Sequence, residues 1–80
     1  MKEDMAIETR VLLLGIYKRE EGESLNDVLM MLEHAGVFSY KEGKGHLKTL
    51  KADGYLLDDR LTVVGTQRAA EIQKEFTLPS

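Results

Sequence analysis

Helix starts and helix stops alternate through the first 54 residues, and that punctuation confines the chain to short helices packed side by side. Met5 to Glu20 comes first. Ile7, Val11 and Leu14, with Leu12 and Ile16 beside them, recur at helical spacing and predict one apolar stripe. The acidic, glycine-containing run Glu20-Glu21-Gly22-Glu23 ends it. Ser24 then opens a second block as an N-cap, with Asp27 three residues on as a weaker form of the capping box. Leu25, Val28, Leu29 and Leu32 follow on one face. Gly36 closes the block as a left-handed cap, and Val37 packs back on the last turn. Ser39 and Glu42 form a full capping box for a third helix with Leu47 and Leu50 on its buried face, and Gly54-Tyr55 repeats the stop of Gly36-Val37.

After Gly54 the period changes. Tyr55-Leu56-Leu57 and Leu61-Thr62-Val63 are short and β-prone, and Asp58-Asp59-Arg60 between them is a tight polar turn, so a small β-hairpin is predicted. Helical spacing returns with Ala69, Ile72 and Phe76, giving a last helix over about 63–76 that Thr77-Leu78-Pro79-Ser80 stops. The order is helix, helix, helix, hairpin, helix: a mainly α chain in a single domain, 1–80. Eighty residues leave no room for a second core. With 42% apolar and 31% charged residues the composition is that of a globular chain rather than a disordered one.

The absence of cysteine excludes disulfides, thiolate zinc sites and cysteine nucleophiles. Apolar runs such as Val11-Leu12-Leu13-Leu14 are far too short to span a bilayer. Met1-Lys2-Glu3-Asp4 lacks the basic start and apolar stretch of a signal peptide, so a cytoplasmic protein without membrane association is expected.

The segment His46-Leu47-Lys48-Thr49-Leu50-Lys51-Ala52-Asp53-Gly54-Tyr55-Leu56, followed by Leu61-Thr62 and by Gly65 three residues later, resembles the winged helix-turn-helix superfamily, especially small regulators of the MarR and PadR kind. There a Leu-x-x-Leu recognition helix runs into a Gly-aromatic-Leu strand, and a Leu-Thr-x-x-Gly element leads from the wing into the next helix. The close match covers about twenty residues and the topology nearly all of the chain. The resemblance implies a winged helix-turn-helix of order ααα-ββ-α with a stub of a wing, and a DNA-binding transcriptional regulator. Two departures are visible. Gly43 and Gly45 lie inside the helix that would read DNA, each costing about 1 kcal/mol relative to alanine. The Gly36–Ser39 turn also lacks the spacing of a compact helix-turn-helix. A helix start near Lys44 is the alternative to Tyr40, and the Ser39/Glu42 box favours Tyr40.

Lys41, Lys44, Lys48 and Lys51, at spacings of 3, 4 and 3, share one side of that helix, roughly 40° to 120° from Leu47 taken as the buried reference. Glu42, Gly45 and Thr49 occupy the far face, and His46 lies opposite the lysines. Small residues would admit the backbone to a groove floor while ammonium groups meet phosphates. The expected DNA-contacting residues are therefore Tyr40, Lys41, Lys44, Gly45, Lys48 and Thr49, with Lys51 and, at the wing tip, Arg60 on the backbone. Within a chain of net charge −3, residues 37–51 carry +3 while residues 1–36 carry −4. Such a chain is a poor general polyanion binder, so binding by a monomer is weak and dimerisation helps.

A homodimer through the terminal helices is expected, with Val64, Ala69, Ile72 and Phe76 as one candidate surface and Met30 and Met31 as another. The competing functional reading is a winged-helix protein–protein interaction module that does not bind DNA and uses the acidic first helices with Met31, Val37 and Phe38. Catalysis finds little support. His34 and His46 have no third ligand at metal spacing. Asp58-Asp59 is a hydrated turn, Gly43-Lys44-Gly45 is only a fragment of a phosphate loop, and Ser24 and Ser39 act as caps. Tyr17, Tyr40 and Tyr55 are not spaced to stack successive bases. No enzyme activity, cofactor, metal or small-molecule substrate is expected.

Overall fold

The computed structural model describes residues 5–77. The acidic start at 1–4 and the Pro79 stop lie outside the described residues. Four helices, α1 (Ile7–Lys18), α2 (Leu25–His34), α3 (Tyr40–Ala52) and α4 (Val63–Thr77), surround one core, with a hairpin of β1 (Leu56–Leu57) and β2 (Arg60–Leu61) between α3 and α4. The fold is mainly helical with a two-stranded antiparallel sheet, and α1 is its centre: it packs on α2, α3, α4 and β2.

The caps form as the residue types dictate. Ser24 and Ser39 each accept a hydrogen bond from the amide three residues on, and the Asp27 and Glu42 carboxylates each accept one from the serine amide, so both boxes are complete. Asp27 thus does the full work of a capping-box acid. Gly36 and Gly54 both take φ +83, where a β-carbon is disfavoured. Beyond them Val37 N donates to Leu32 O and Tyr55 N to Leu50 O, closing both helices with the same hydrogen-bonded turn. α3 begins at Tyr40 despite its internal glycines.

The expected stripe of α1 is wrong in its facing. Leu12, Leu13, Ile16 and the polar Thr9 are buried, whereas Ile7 is 53% exposed and Val11 and Leu14 are only half-buried. Two apolar series run along α1, and the one that meets the other three helices is Thr9-Leu12-Leu13-Ile16. Val28, Leu29, Leu32, Phe38, Leu50, Leu56, Ala69 and Ile72 complete the core. Burial of Ala69 and Ile72 removes them from any surface available to a second chain. Burial of Phe38, with Val37 half-buried, likewise removes Phe38 from the exposed patch expected for a protein-binding module.

The hairpin is shorter than its sequence suggests. Leu56 pairs with Leu61 and Leu57 with Arg60 across a two-residue Asp58-Asp59 turn, so Arg60 belongs to β2 rather than to the tip. Thr62 and Val63 leave the strand because Thr62 serves as a cap. Its hydroxyl accepts from Gly65 N at 3.0 Å and donates to Gly54 O at 2.8 Å, tying the end of α3 to the start of α4. Asp58 takes φ +56, a conformation aspartate tolerates better than most L-residues. Arg19, just past α1, donates to the Asp59 carbonyl and pins the turn.

Candidate nucleic-acid interface

Gly43 and Leu50 are the fully buried positions of α3, and His46 and Leu47 are half-buried. A β-carbon at Gly43 would stand 2.6 Å from Phe38 Cε1 and 2.9 Å from Leu29 Cδ2, so the missing side chain is what lets α3 lie down on those two residues. This contact rotates the helix. At about 100° per residue the buried direction falls about 50° from Leu47 toward His46. Leu47 is therefore not the centre of the buried face. Lys41, Gly45, Lys48 and Ala52 consequently form the ridge farthest from the core, so Lys41 and Lys48 turn outward while Lys44 and Lys51 lie on the flank beside them.

All four lysines are exposed, and none joins an ion pair among the described residues. Lys44 Nζ stands 5.6 Å from the centroid of the Tyr40 ring, a cation–π distance. Tyr40 is half-buried and committed to α2: its hydroxyl donates to Asn26 Oδ1 and its amide to Glu33 Oε2 at 3.1 Å. Gly45 is exposed, and a β-carbon there would meet nothing within 4 Å. Thr49 is exposed but its hydroxyl is used, donating to Gly45 O at 3.2 Å. Arg60 is exposed on β2 and Lys51 near the end of α3. Seven of the eight expected contact residues thus lie on α3, with Arg60 on a separate element.

The opposite shoulder of α3 has the other sign of charge. A groove between it and the start of α1 is lined by Glu8, Glu42, Gly45, His46 and Thr49, and a second hollow, lined by Thr9, Asp53 and Tyr55, adjoins it at His46 and Thr49. At its floor His46 Nδ1 and Thr9 Oγ1 are 3.0 Å apart, and the imidazole lies against Phe38 with ring centroids 5.5 Å apart. His46 therefore joins α3 to α1, and among the described residues no three metal-ligating side chains gather. The Thr9–His46 bond and the carboxylates beside α3 escaped the reading of the sequence. Thr9 did leave a signal, as the polar head of the series 9, 12, 13, 16.

Gly45 distinguishes local energetics from function. Alanine there gains about 1 kcal/mol of helix propensity and meets no neighbour, so Gly45→Ala is expected to raise the urea midpoint with the slope unchanged. A drop in the midpoint would show that the open space beside Gly45 is occupied in solution.

Compared with known proteins, the chain matches no family model, no curated protein and no solved structure. No helix among the described residues is long and apolar enough to cross a membrane.

Proposed function

We propose that this chain is a small winged-helix DNA-binding protein, acting as a transcriptional regulator, with α3 in the major groove and the β1–β2 hairpin as a short wing. The observation that carries this reading is the outer ridge of α3: Lys41 and Lys48 two turns apart on one face, Gly45 between them, and Lys44 beside them, all exposed and free of carboxylate partners among the described residues. A duplex meets ammonium groups there without first displacing internal ion pairs. Gly45 admits the helix backbone to the groove floor, while Lys44 and Lys51 reach phosphates on one side and Arg60 reaches the backbone from the wing. The carboxylates of the other shoulder orient the complex. Glu42 and Glu8 are repelled by phosphate, so the strand on the lysine side binds more closely.

Fluorescence anisotropy with a random-sequence duplex across a salt series tests the reading. Four or five phosphate contacts give a slope of log affinity against log salt of about −4 per protomer. Lys44→Ala with Lys48→Ala flattens it by about 2. Gly45→Ala, though more stable, binds more weakly because its methyl group holds the helix off the groove floor. An unchanged slope and affinity in the double variant would remove the lysine ridge from any role in binding.

The carboxylates beside α3 favour one second reading, a winged-helix protein–protein interaction module that does not bind DNA. Glu8 and Glu42 line one groove and Asp53 the hollow that adjoins it at His46 and Thr49, a surface that a basic segment of another protein would fit. NMR shift mapping with the duplex at low salt separates the two. Shifts confined to residues 40–51 and the hairpin support DNA binding, and silence there supports the module.

A further inference from the structure

The chain has four methionines and no cysteine, so its thioethers are the groups that a peroxide oxidises first. Among the described residues, Met30 and Met31 of α2 are the exposed methionines, at 45% and 52%. Met31 lines an apolar hollow between α1 and α2 with Val11, Leu14 and Leu32. Met30 belongs instead to a polar row. Asn26, Met30 and Glu33, at spacings of 4 and 3, share one face of α2. Tyr40, the first residue of α3, is anchored along that row at both ends. Its amide donates to Glu33 Oε2 at 3.1 Å and its hydroxyl to Asn26 Oδ1. Met30 stands on the row between the two anchors, and its sulfur accepts from Asn26 Nδ2 at 3.6 Å. The Asn26 amide thus holds the thioether with its nitrogen and the Tyr40 phenol with its oxygen. Because the amide is planar, it cannot turn away from one contact and keep the other.

We propose that Met30 is a peroxide-responsive modification site, whose oxidation to the sulfoxide releases the Tyr40 hydroxyl from α2. A hydroperoxide transfers its outer oxygen to a lone pair of the exposed sulfur. The S–O bond forms as the O–O bond breaks, and the thioether gives up two electrons. The proton of the transferred hydroxyl passes to the departing oxygen, which leaves as an alcohol, or as water where the oxidant is hydrogen peroxide. A thioether is a weak acceptor, whereas the sulfoxide is polar and carries an oxygen that accepts strongly. That oxygen takes over Asn26 Nδ2. The space between sulfur and nitrogen is too short for an S–O bond and a hydrogen bond in line, so the amide turns to meet the new acceptor. Its Oδ1 leaves the Tyr40 hydroxyl, and Tyr40 keeps only the Glu33 end of its anchorage. The change reaches the first turn of α3, where Lys44 lies over the Tyr40 ring. Enzymatic reduction of the sulfoxide reverses it. The proposal stands whether or not α3 binds DNA.

The test follows the Tyr40 ring by NMR in the whole chain before and after hydrogen peroxide, with mass spectrometry locating the added oxygen. In the wild type and in Met31→Leu, oxidation is expected to move the Tyr40 ring resonances and to weaken the Overhauser contact between that ring and Asn26. Met30→Leu treated in the same way keeps both. Met30→Gln, which offers a carbonyl acceptor near the place of the sulfoxide oxygen, is expected to reproduce the shift without peroxide. Methionine sulfoxide reductase returns the oxidised wild type to its starting spectrum. Both substituted positions are exposed, so the fold survives each change. Met30 sulfoxide formed with Tyr40 unmoved would overturn the proposal. The same Tyr40 shift in oxidised Met30→Leu would overturn it too, as would complete oxidation of Met31 with Met30 untouched.

Discussion

Gly65→Ala is expected to lower stability by about 3 kcal/mol or more, a large share of what an 80-residue domain possesses. Propensity alone gives the opposite sign, since alanine inside α4 gains about 1 kcal/mol over glycine. The close approach of Tyr55 decides the matter. A β-carbon at Gly65 would collide with the Tyr55 carbonyl oxygen, and would come within 2.8 Å of its carbon and 3.1 Å of its α-carbon. All three are backbone atoms, so no rotamer change relieves the overlap. The backbone cannot move cheaply either. Tyr55 N closes α3 on Leu50 O, Tyr55 O accepts from Thr62 N at 3.1 Å, and Thr62 bonds both Gly54 and Gly65. Relief requires opening the hairpin or shifting α4, and with α4 go Ala69 and Ile72 of the core. Urea denaturation checks the magnitude. A Gly65→Ala protein as stable as the wild type would show that α4 does not approach Tyr55 this closely.

Gly43→Ala is expected to cost about 1–3 kcal/mol, against a gain for the same substitution two residues away at Gly45. The methyl group would press into Phe38 and Leu29, both buried, and the Phe38 ring is already confined by His46. Side chains give way more readily than backbone, which is why the effect is smaller than at Gly65. Since α3 must lift to make room, the Thr9–His46 bond lengthens, and the His46 imidazole resonances should shift along with the lost stability. Equal stabilisation by Gly43→Ala and Gly45→Ala would show that α3 does not rest on Phe38.

These two glycines illustrate where the sequence is legible. Gly36 and Gly54 announced themselves because a capped helix end is a matter of a few neighbouring residues: a serine with an acid three positions on, or a glycine followed by an apolar residue. The Leu61-Thr62-Val63-Val64-Gly65 element was visible as a pattern, but its cause, the Tyr55 carbonyl against Gly65, lies across the hairpin. Gly43 read only as a liability in a helix, because Phe38 and Leu29 come to it from a loop and from α2. Arg60 was placed at the turn because strand ends of two residues leave no periodicity to measure.

The sequence by itself determined the number, order and ends of the helices and the place of the hairpin, because caps, turns and hydrophobic period are local interactions that each segment carries with it. It also determined that four lysines share one side of a helix. Only the tertiary structure decided which side that is relative to the core. On α1 two apolar series have the same period, and on α3 a glycine and three larger residues compete for the core. Local energetics cannot choose between such faces. Contact with the other helices can, since burying one face and closing α3 over Gly43 turns the remaining apolar stripe of α1 and the lysines of α3 outward together.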